Sequence, residues 1–524
     1  MASVRSHSLR AGRLDPRNGL TTNVTTFLIA AAIASLLATA LAAAEPKRPR
    51  QWSSEAYYDL VGVEPQKQWE EKYDKKGIRA SAEMQRHQSP KFLEAPEYYT
   101  ENDVPKDFEV AKTAPTVDFA IVQNLEPRYL DKAKREGERP VWGGWGEVEL
   151  GPDGAFYFAL GNHIAHGAEA VIVRYDPTTK KQSIALSAKK VIGWGDDDWG
   201  DGKLHGNPTV GPDGVMWLLT YASPDPRPED FNPKYRGSWL LRHDTKTGQT
   251  EDLGVPLEGQ TYPHHVWDPK RGLLVGSNTA GDALIVYDTK ERRMVFGGHV
   301  PPGIGKFYSH SLFVDPDTGS VYGTVVPDGW IYWDRSQMMP HYFVKYERLY
   351  NRFTRLKISV PALTPSGGIG ALATATRERD AKGRFWCFSS AGAMFTFDPA
   401  AEKVEWFGPN WLGGCYTYDL CISPGKRYLY YVPGSDTHAW AYGLPVIQYD
   451  ITTGKKKVLA FLESFFRQEY GYSPGGTYGL SLDAKGESLF FYVNGVFTEI
   501  EKGRSGYGRP AMFHVHIPAS ERPE

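Results

Sequence analysis

A short phrase recurs down this chain: an aromatic or imidazole ring, an aspartate, then a polar turn rich in Thr and Lys. It reads Tyr175-Asp176, His243-Asp244, Tyr287-Asp288, Phe397-Asp398 and Tyr449-Asp450. Recurrence at this spacing means an array of similar units, each burying its faces against its neighbours. The interval from Asp288 to Asp398 is about two periods, so one degenerate unit is expected between them.

A second repeat precedes the first. Strands run into Asp/Gly turns ending at Gly154, Gly214, Gly272, Gly319, Gly383, Gly425 and Gly486. Each turn leads into an aromatic or apolar strand such as Phe156-Tyr157-Phe158 or Phe385-Trp386. These are hairpin signals. Strand, hairpin, strand, link, strand ending in aromatic-Asp, turn and strand make a four-stranded blade. A lone blade leaves two faces and two edges unprotected, and radial stacking covers them. The seven copies predict an all-β fold, a seven-bladed β-propeller over residues 140–518, against a sandwich or a solenoid as rivals. Ala511–Pro518 reads as a last strand, and Val117–Val122 as a clasp on blade seven that closes the ring. Residues 519–524 form a tail.

The first 44 residues do not read as part of the fold. Arg5, Arg10, Arg13 and Arg17 precede an apolar run, Phe27 to Ala44, with a small-residue exit at Ala42 and Ala44. This is the pattern of a secretory signal, with an uncleaved anchor as the rival. The expected location is secreted or periplasmic, with membrane contact only if the run is retained. Residues 45–139 read as a polar, partly helical arm plus the clasp, with weak helical signal at Trp69–Lys76 and Ser81–Arg86. The net charge of −2 comes with no basic stripe and gives no case for nucleic-acid binding. Cys387, Cys415 and Cys421 have no metal or haem spacing and read as buried thiols, with one disulfide as the alternative. A monomer is expected.

Propeller sites lie on the axis, where the innermost strands begin. The residues before each hairpin are therefore the candidates. Blade one offers Trp145 and Glu147, blade two His205 and Asn207, and blade three Tyr262, His264 and His265. Blade four offers Tyr308 and His310, blade six Tyr418 and Asp419, and blade seven Tyr478. Blade five offers only Ile369-Gly370-Ala371. His205, His264 and His310 thus stand at equivalent positions of adjacent blades. They can act as acid and base, or bind a divalent ion (Ca, Mn or Zn) with Glu147 and Asp419 completing a shell around His264 and His310. The alternative is three histidines that only hydrogen-bond in a polar channel. His163 and His166 form a second cluster, and the acidic loop Asp196-Asp197-Asp198 a third, with Ca²⁺ or plain solvation as its readings. No nucleophile elbow, P-loop or dinucleotide fingerprint stands in a convincing context.

The Gly-Pro-Asp-Gly turns, the Val-Met-Trp-Leu strand after Gly214 and Leu480-Ser-Leu-Asp-Ala-Lys-Gly486 resemble propellers of the streptogramin-lyase and gluconolactonase type. The resemblance covers most of the propeller and implies an axial divalent ion held by carboxylate, Asn or His, with lactone opening or β-elimination as the chemistry. Separately, His205-Gly-Asn207-Pro208 through Trp217 is similar to the His-Asn-x-Pro stretch of propeller polysaccharide (ulvan) lyases. That similarity implies catalytic His205 with Asn207 nearby, although Asn207 stands one position later than in those lyases. Tyr221 or His264 would fill the partner role. The expected function is an exported lyase or lactonase-like enzyme acting on a small molecule or polysaccharide. His205, His264, His310 and Tyr221 would be catalytic; Asn207, Tyr262, Tyr418, Tyr478 and Trp145 would bind substrate. Arg227, Arg236, Arg242 and Lys306 are candidate cations for a uronate. A propeller that binds glycan or protein without catalysis is the alternative. A quinone-dependent dehydrogenase has no supporting motif.

Overall fold

The structure, a computed structural model, describes residues 84–101, 107–122, 143–162, 170–195, 200–222, 235–308, 312–326, 339–364, 367–435, 439–497 and 510–523. The leader with Ala42 and Ala44 lies outside the described residues, as do Trp69–Lys76, His163, His166, Asp196–Asp198, Arg227 and His310.

Both repeats have a local physical cause. In each aromatic-Asp phrase the aspartate ends its blade's third strand and folds back on the turn that follows. Asp176, Asp244, Asp288, Asp398 and Asp450 each accept two backbone N–H groups, two and three residues on, at 2.8–3.3 Å. This is the Asx turn, which reverses the chain without help from tertiary structure. The degenerate unit is Tyr342–Glu347, which ends in Tyr346-Glu347. A glutamate is one methylene too long to close that ring. Its turn is instead a 3-10 segment, Arg348–Tyr350, with no side-chain cap, and Glu347 pairs with Lys345 and Arg352. In the inner hairpins six of the turn glycines sit at φ between 69° and 86°, the left-handed region that favours glycine. Blade six places Lys426 there instead, at φ 61°.

The result is seven blades around one axis. From the axis outward, blade one comprises Val148–Leu150, Phe156–Leu160, Val171–Asp176 and Lys181–Ser187. Blade three (His264 to His299), blade five (Leu372 to Pro409) and blade six (Cys421 to Phe461) repeat that order. Blade four runs from Phe313 to Ser359. In blade two the inner strand shrinks to one bridge, Val210 to Met216, ahead of Val215–Leu219, Leu240–Asp244 and Thr250–Asp252. Pro208, which has no N–H to give a ladder, lies two residues ahead of Val210.

Blade seven holds the ring shut. Its strands Leu480–Leu482, Ser488–Val493 and Ala511–His516 are completed on the outside by Thr116–Ile121, which pairs antiparallel with Ala511–His516. The clasp thus brings together segments nearly 400 residues apart. Gln85–Gln88 adds a further strand outside the clasp, and Phe108–Val110 lies parallel against the outer strand of blade six. Of the run Ser81–Arg86, read as weakly helical, the described Gln85 and Arg86 lie in this strand. The register with Thr116–Phe119 decides it, and Arg86 pairs with Asp118 across that register.

The core lies between blades. The second and third strands are buried on both faces, so they read as continuous apolar runs rather than alternating ones. At the seam between blades seven and one, Phe490 stacks on Phe156 and Tyr175 at 4.8 and 4.9 Å. Between blades four and five, Phe343 and Phe397 stack at 4.5 Å. Cys387, Cys415 and Cys421 are free thiols, the first two buried.

Candidate functional site: the axial channel

The segments that lead into the inner strands converge on the axis and bring side chains from five blades together. Tyr418 of blade six stands at the centre. The rings of His205 and His264 meet it edge to face, at 6.2 and 6.5 Å. Tyr221 meets His205 at 5.7 Å from the other side, and Tyr478 lies 5.6 Å from Tyr418. Trp145 packs in the same buried cluster as Tyr418 and Tyr478. His205 and His264, read from the sequence as equivalent positions, thus share one tyrosine.

A cavity of about 170 Å³ adjoins this group at His264, the member of it that lines the cavity. Glu147, Glu149, Asn207, His264 and Arg377 line it together with the apolar Val266, Leu312, Phe313, Leu372 and Ala373, and Thr209, Trp267, Asp268 and Thr374 complete the polar part of the lining. Arg377 reaches from blade five to blade one. Its Nη2 donates to Glu147 Oε2 at 3.1 Å and to the Val148 carbonyl at 2.7 Å, and its Nη1 pairs with Glu149. The other oxygen of Glu147 faces His264 Nε2 at 3.8 Å, beyond hydrogen-bond length but well placed to pair with an imidazolium. His264 is almost wholly buried, and among the described residues neither of its ring nitrogens has a hydrogen-bond partner. The same holds for Asn207 Oδ1. Buried polar atoms left open in this way cost free energy unless a ligand or water meets them.

Burial works against ionisation of Glu147, but His264 and Arg377 outweigh it and hold its carboxyl below the usual carboxylate range. Asp419 goes the other way. Burial, together with the charge of Glu147, pushes it well above that range. Its oxygens accept the backbone N–H groups of Leu420 and Leu480, at 2.8 and 3.0 Å. Burial and the same two carboxyls keep the Tyr418 hydroxyl protonated far past its ordinary range, so it acts as a donor. His265 lies behind the channel with its ring against Gly206, where a Cβ would stand 2.0 Å from His265 Nδ1; only glycine fits there. Burial drives its pKa down to about 3, so it is neutral.

Tyr262 stands apart from the other candidates. It is buried in the core between blades two and three, with Leu219, Leu240 and Trp267. His310 lies outside the described residues. Arg236, Arg242 and Lys306 do not line the cavity. Among the described residues, Arg377 and Lys203 are cations near the axis that do not stand among the candidates named above. Arg377 sits in Thr376-Arg-Glu-Arg379, which looks like a solvated charge run. Lys203 is buried beneath the site with its ammonium 3.7 Å from the centre of the Tyr221 ring. Close by, burial raises buried Asp201 to about 7, against the pull of Thr220, Tyr235 and Lys203.

Among the described residues of the expected ion shell, which leave out His310, the carboxyl groups suit a divalent ion poorly. Glu147 is already neutralised by Arg377, and Asp419 favours its protonated form, whereas a ligating carboxylate must be ionised. Among the described residues, the trio of ligand-type atoms that does cluster is Asp118, His514 and His516, far out in blade seven. It is already satisfied by Arg86, Lys180 and Ser488.

No model of a known protein family matches the chain, and no curated protein matches it. Among solved structures, hydrazine synthase of Kuenenia stuttgartiensis is similar over 68% of this chain and 94% of that one, at 12% identity and a TM-score of 0.42. A nidogen/laminin complex is similar over 56% of this chain and 89% of that one, at 14% identity and a TM-score of 0.34.

Proposed function

We propose that the protein is an acid–base enzyme of the lactonase type, opening an uncharged cyclic ester at the axial site. The observation that carries this is His264, buried and unpartnered among the described residues, held between the Glu147 carboxylate and the Tyr418 ring at the edge of a cavity. Glu147 faces Nε2, which leaves Nδ1 for a water molecule. His264 takes a proton from that water, and the water oxygen bonds to the lactone carbonyl carbon. Glu147 stabilises the imidazolium by about 4 kcal/mol if the effective dielectric constant is about 20. The Tyr418 hydroxyl donates to the oxyanion. The ring C–O bond then breaks, and the imidazolium returns its proton to the leaving alkoxide. His205, braced by Tyr221, adds a second polar edge beside Tyr418.

Charge favours ring opening over elimination from a uronate. Glu147 and Glu149 outnumber Arg377 on the cavity wall, and Lys203 is enclosed under Tyr221. A substrate carboxylate would meet net repulsion there. A neutral lactone would not, and the hydroxy acid formed from it would be expelled. The charged start and apolar run of the N-terminus support an exported enzyme.

The test is acid release in a pH-stat, with γ- and δ-lactones and with uronate polymers. Wild type should open lactones and leave the polymers intact. His264→Ala should lose 10²–10⁴-fold in kcat, the range for a positioned acid–base group, with its melting temperature nearly unchanged. Formation of an unsaturated uronate product, or full lactone turnover by His264→Ala, would refute the proposal. Binding without turnover of any lactone would favour a non-catalytic propeller.

A further inference from the structure

Much of the cavity lining is apolar. Val266, Leu312, Phe313, Leu372 and Ala373, from blades three, four and five, offer no hydrogen-bonding side chain; of their polar neighbours in the lining, Trp267 donates to Thr289 and Asp268 accepts from Arg271, which leaves Thr374 as the hydroxyl on that side. A polyhydroxylated sugar lactone filling this space would leave hydroxyls unpaired on that side, which costs free energy for each one. The polar and apolar halves instead match a ligand with a polar head and a hydrocarbon arm. Resting on the ring-opening reading, we propose that the substrate is a lactone bearing a short aliphatic arm, with its ring at His264 and Tyr418 and its arm against the apolar wall.

Volume limits the arm. The cavity holds about 170 Å³, and a cavity of about 150 Å³ accommodates a benzene ring. The ring and the first carbons of the arm fill it together, so carbons beyond roughly the fourth extend past the apolar side chains. Each buried methylene strengthens binding by about fourfold, so a butyl arm gains on the order of 100-fold over none.

The experiment measures calorimetric binding of γ-lactams, which the site does not hydrolyse: pyrrolidinone and its 5-butyl and 5-octyl derivatives, with gluconolactam as the hydrophilic control. The butyl lactam should bind on the order of 100-fold tighter than pyrrolidinone, the octyl lactam should gain nothing more, and gluconolactam should bind weakest. Ala373→Leu, which fills the arm space, should lower the butyl-to-unsubstituted ratio at least tenfold. If that variant does not fold, the wild-type series alone decides. Equal affinities across the series, or tightest binding of gluconolactam, would overturn the inference. The two proposals fail separately. Turnover confined to gluconolactone removes the apolar arm and keeps ring opening. Butyl-lactam binding with no turnover of the matching lactone removes ring opening and keeps the amphipathic ligand.

Discussion

A chain that begins after residue 122 will not yield a closed, soluble propeller. Without Thr116–Ile121, the strand Ala511–His516 becomes an open edge at the point where blade seven must end. An exposed edge of that length pairs with other chains. The clasp also contributes packing. Phe119 is fully buried, 4.3 Å from Phe466, 5.0 Å from Phe513 and 5.2 Å from Tyr470. Phe119→Ala alone should cost about 3–5 kcal/mol, typical of a large aromatic lost from a packed core. Urea melts of the point variant and size-exclusion profiles of the truncation check both statements. A monomeric, cooperatively melting truncation would show that the ring closes without the clasp.

Stability should fall steeply between pH 6.5 and 4.5. Three imidazoles are held neutral, chiefly by burial: His265 and His514 down to about 3, and His341 down to about 4. Their folded values lie below 6.5. As pH falls, the unfolded chain takes up these protons first, so stability is full above that value and drains away below it. Asp201 acts in the opposite sense. Burial raises it to about 7, so the cost it imposes at neutral pH is relieved as pH falls towards the unfolded value. Each imidazole loses about 2–3 kcal/mol across the window; Asp201 returns about the same, and Asp419, also pushed up by burial and Glu147, returns more, leaving a net loss of a few kcal/mol. Urea unfolding at the two pH values measures this directly. Equal or greater stability at pH 4.5 would show that these imidazoles take up protons in the folded ring.

The propeller was legible because its signals are local. An Asx turn and a left-handed glycine act within a few residues, so the same residues recur wherever the same turn is made. The clasp was legible from the need to close a ring, with Val117–Val122 as a mainly apolar run free to pair with blade seven. Gln85–Gln88 was not, because nothing within that segment favours a strand; its partner does. The site was half legible. His264 starts an inner strand and His205 stands ahead of the bridge that replaces one, and blade order carries both to the axis. Arg377 could not be found this way, because its role depends on crossing the channel to Glu147 and Glu149, a distance that no spacing in the sequence encodes. Tyr262 misled for a related reason. It shares the motif of the mouth residues, but its ring turns into the core between blades two and three.

The most direct measurement is a crystal structure of the protein with the 5-butyl γ-lactam bound. The account predicts the lactam ring beside His264 and Tyr418, its carbonyl within hydrogen-bonding distance of the Tyr418 hydroxyl, and its butyl arm against Leu312 and Leu372. A lactam bound on the outer surface of the blades, with the axial cavity filled only by water, would contradict it.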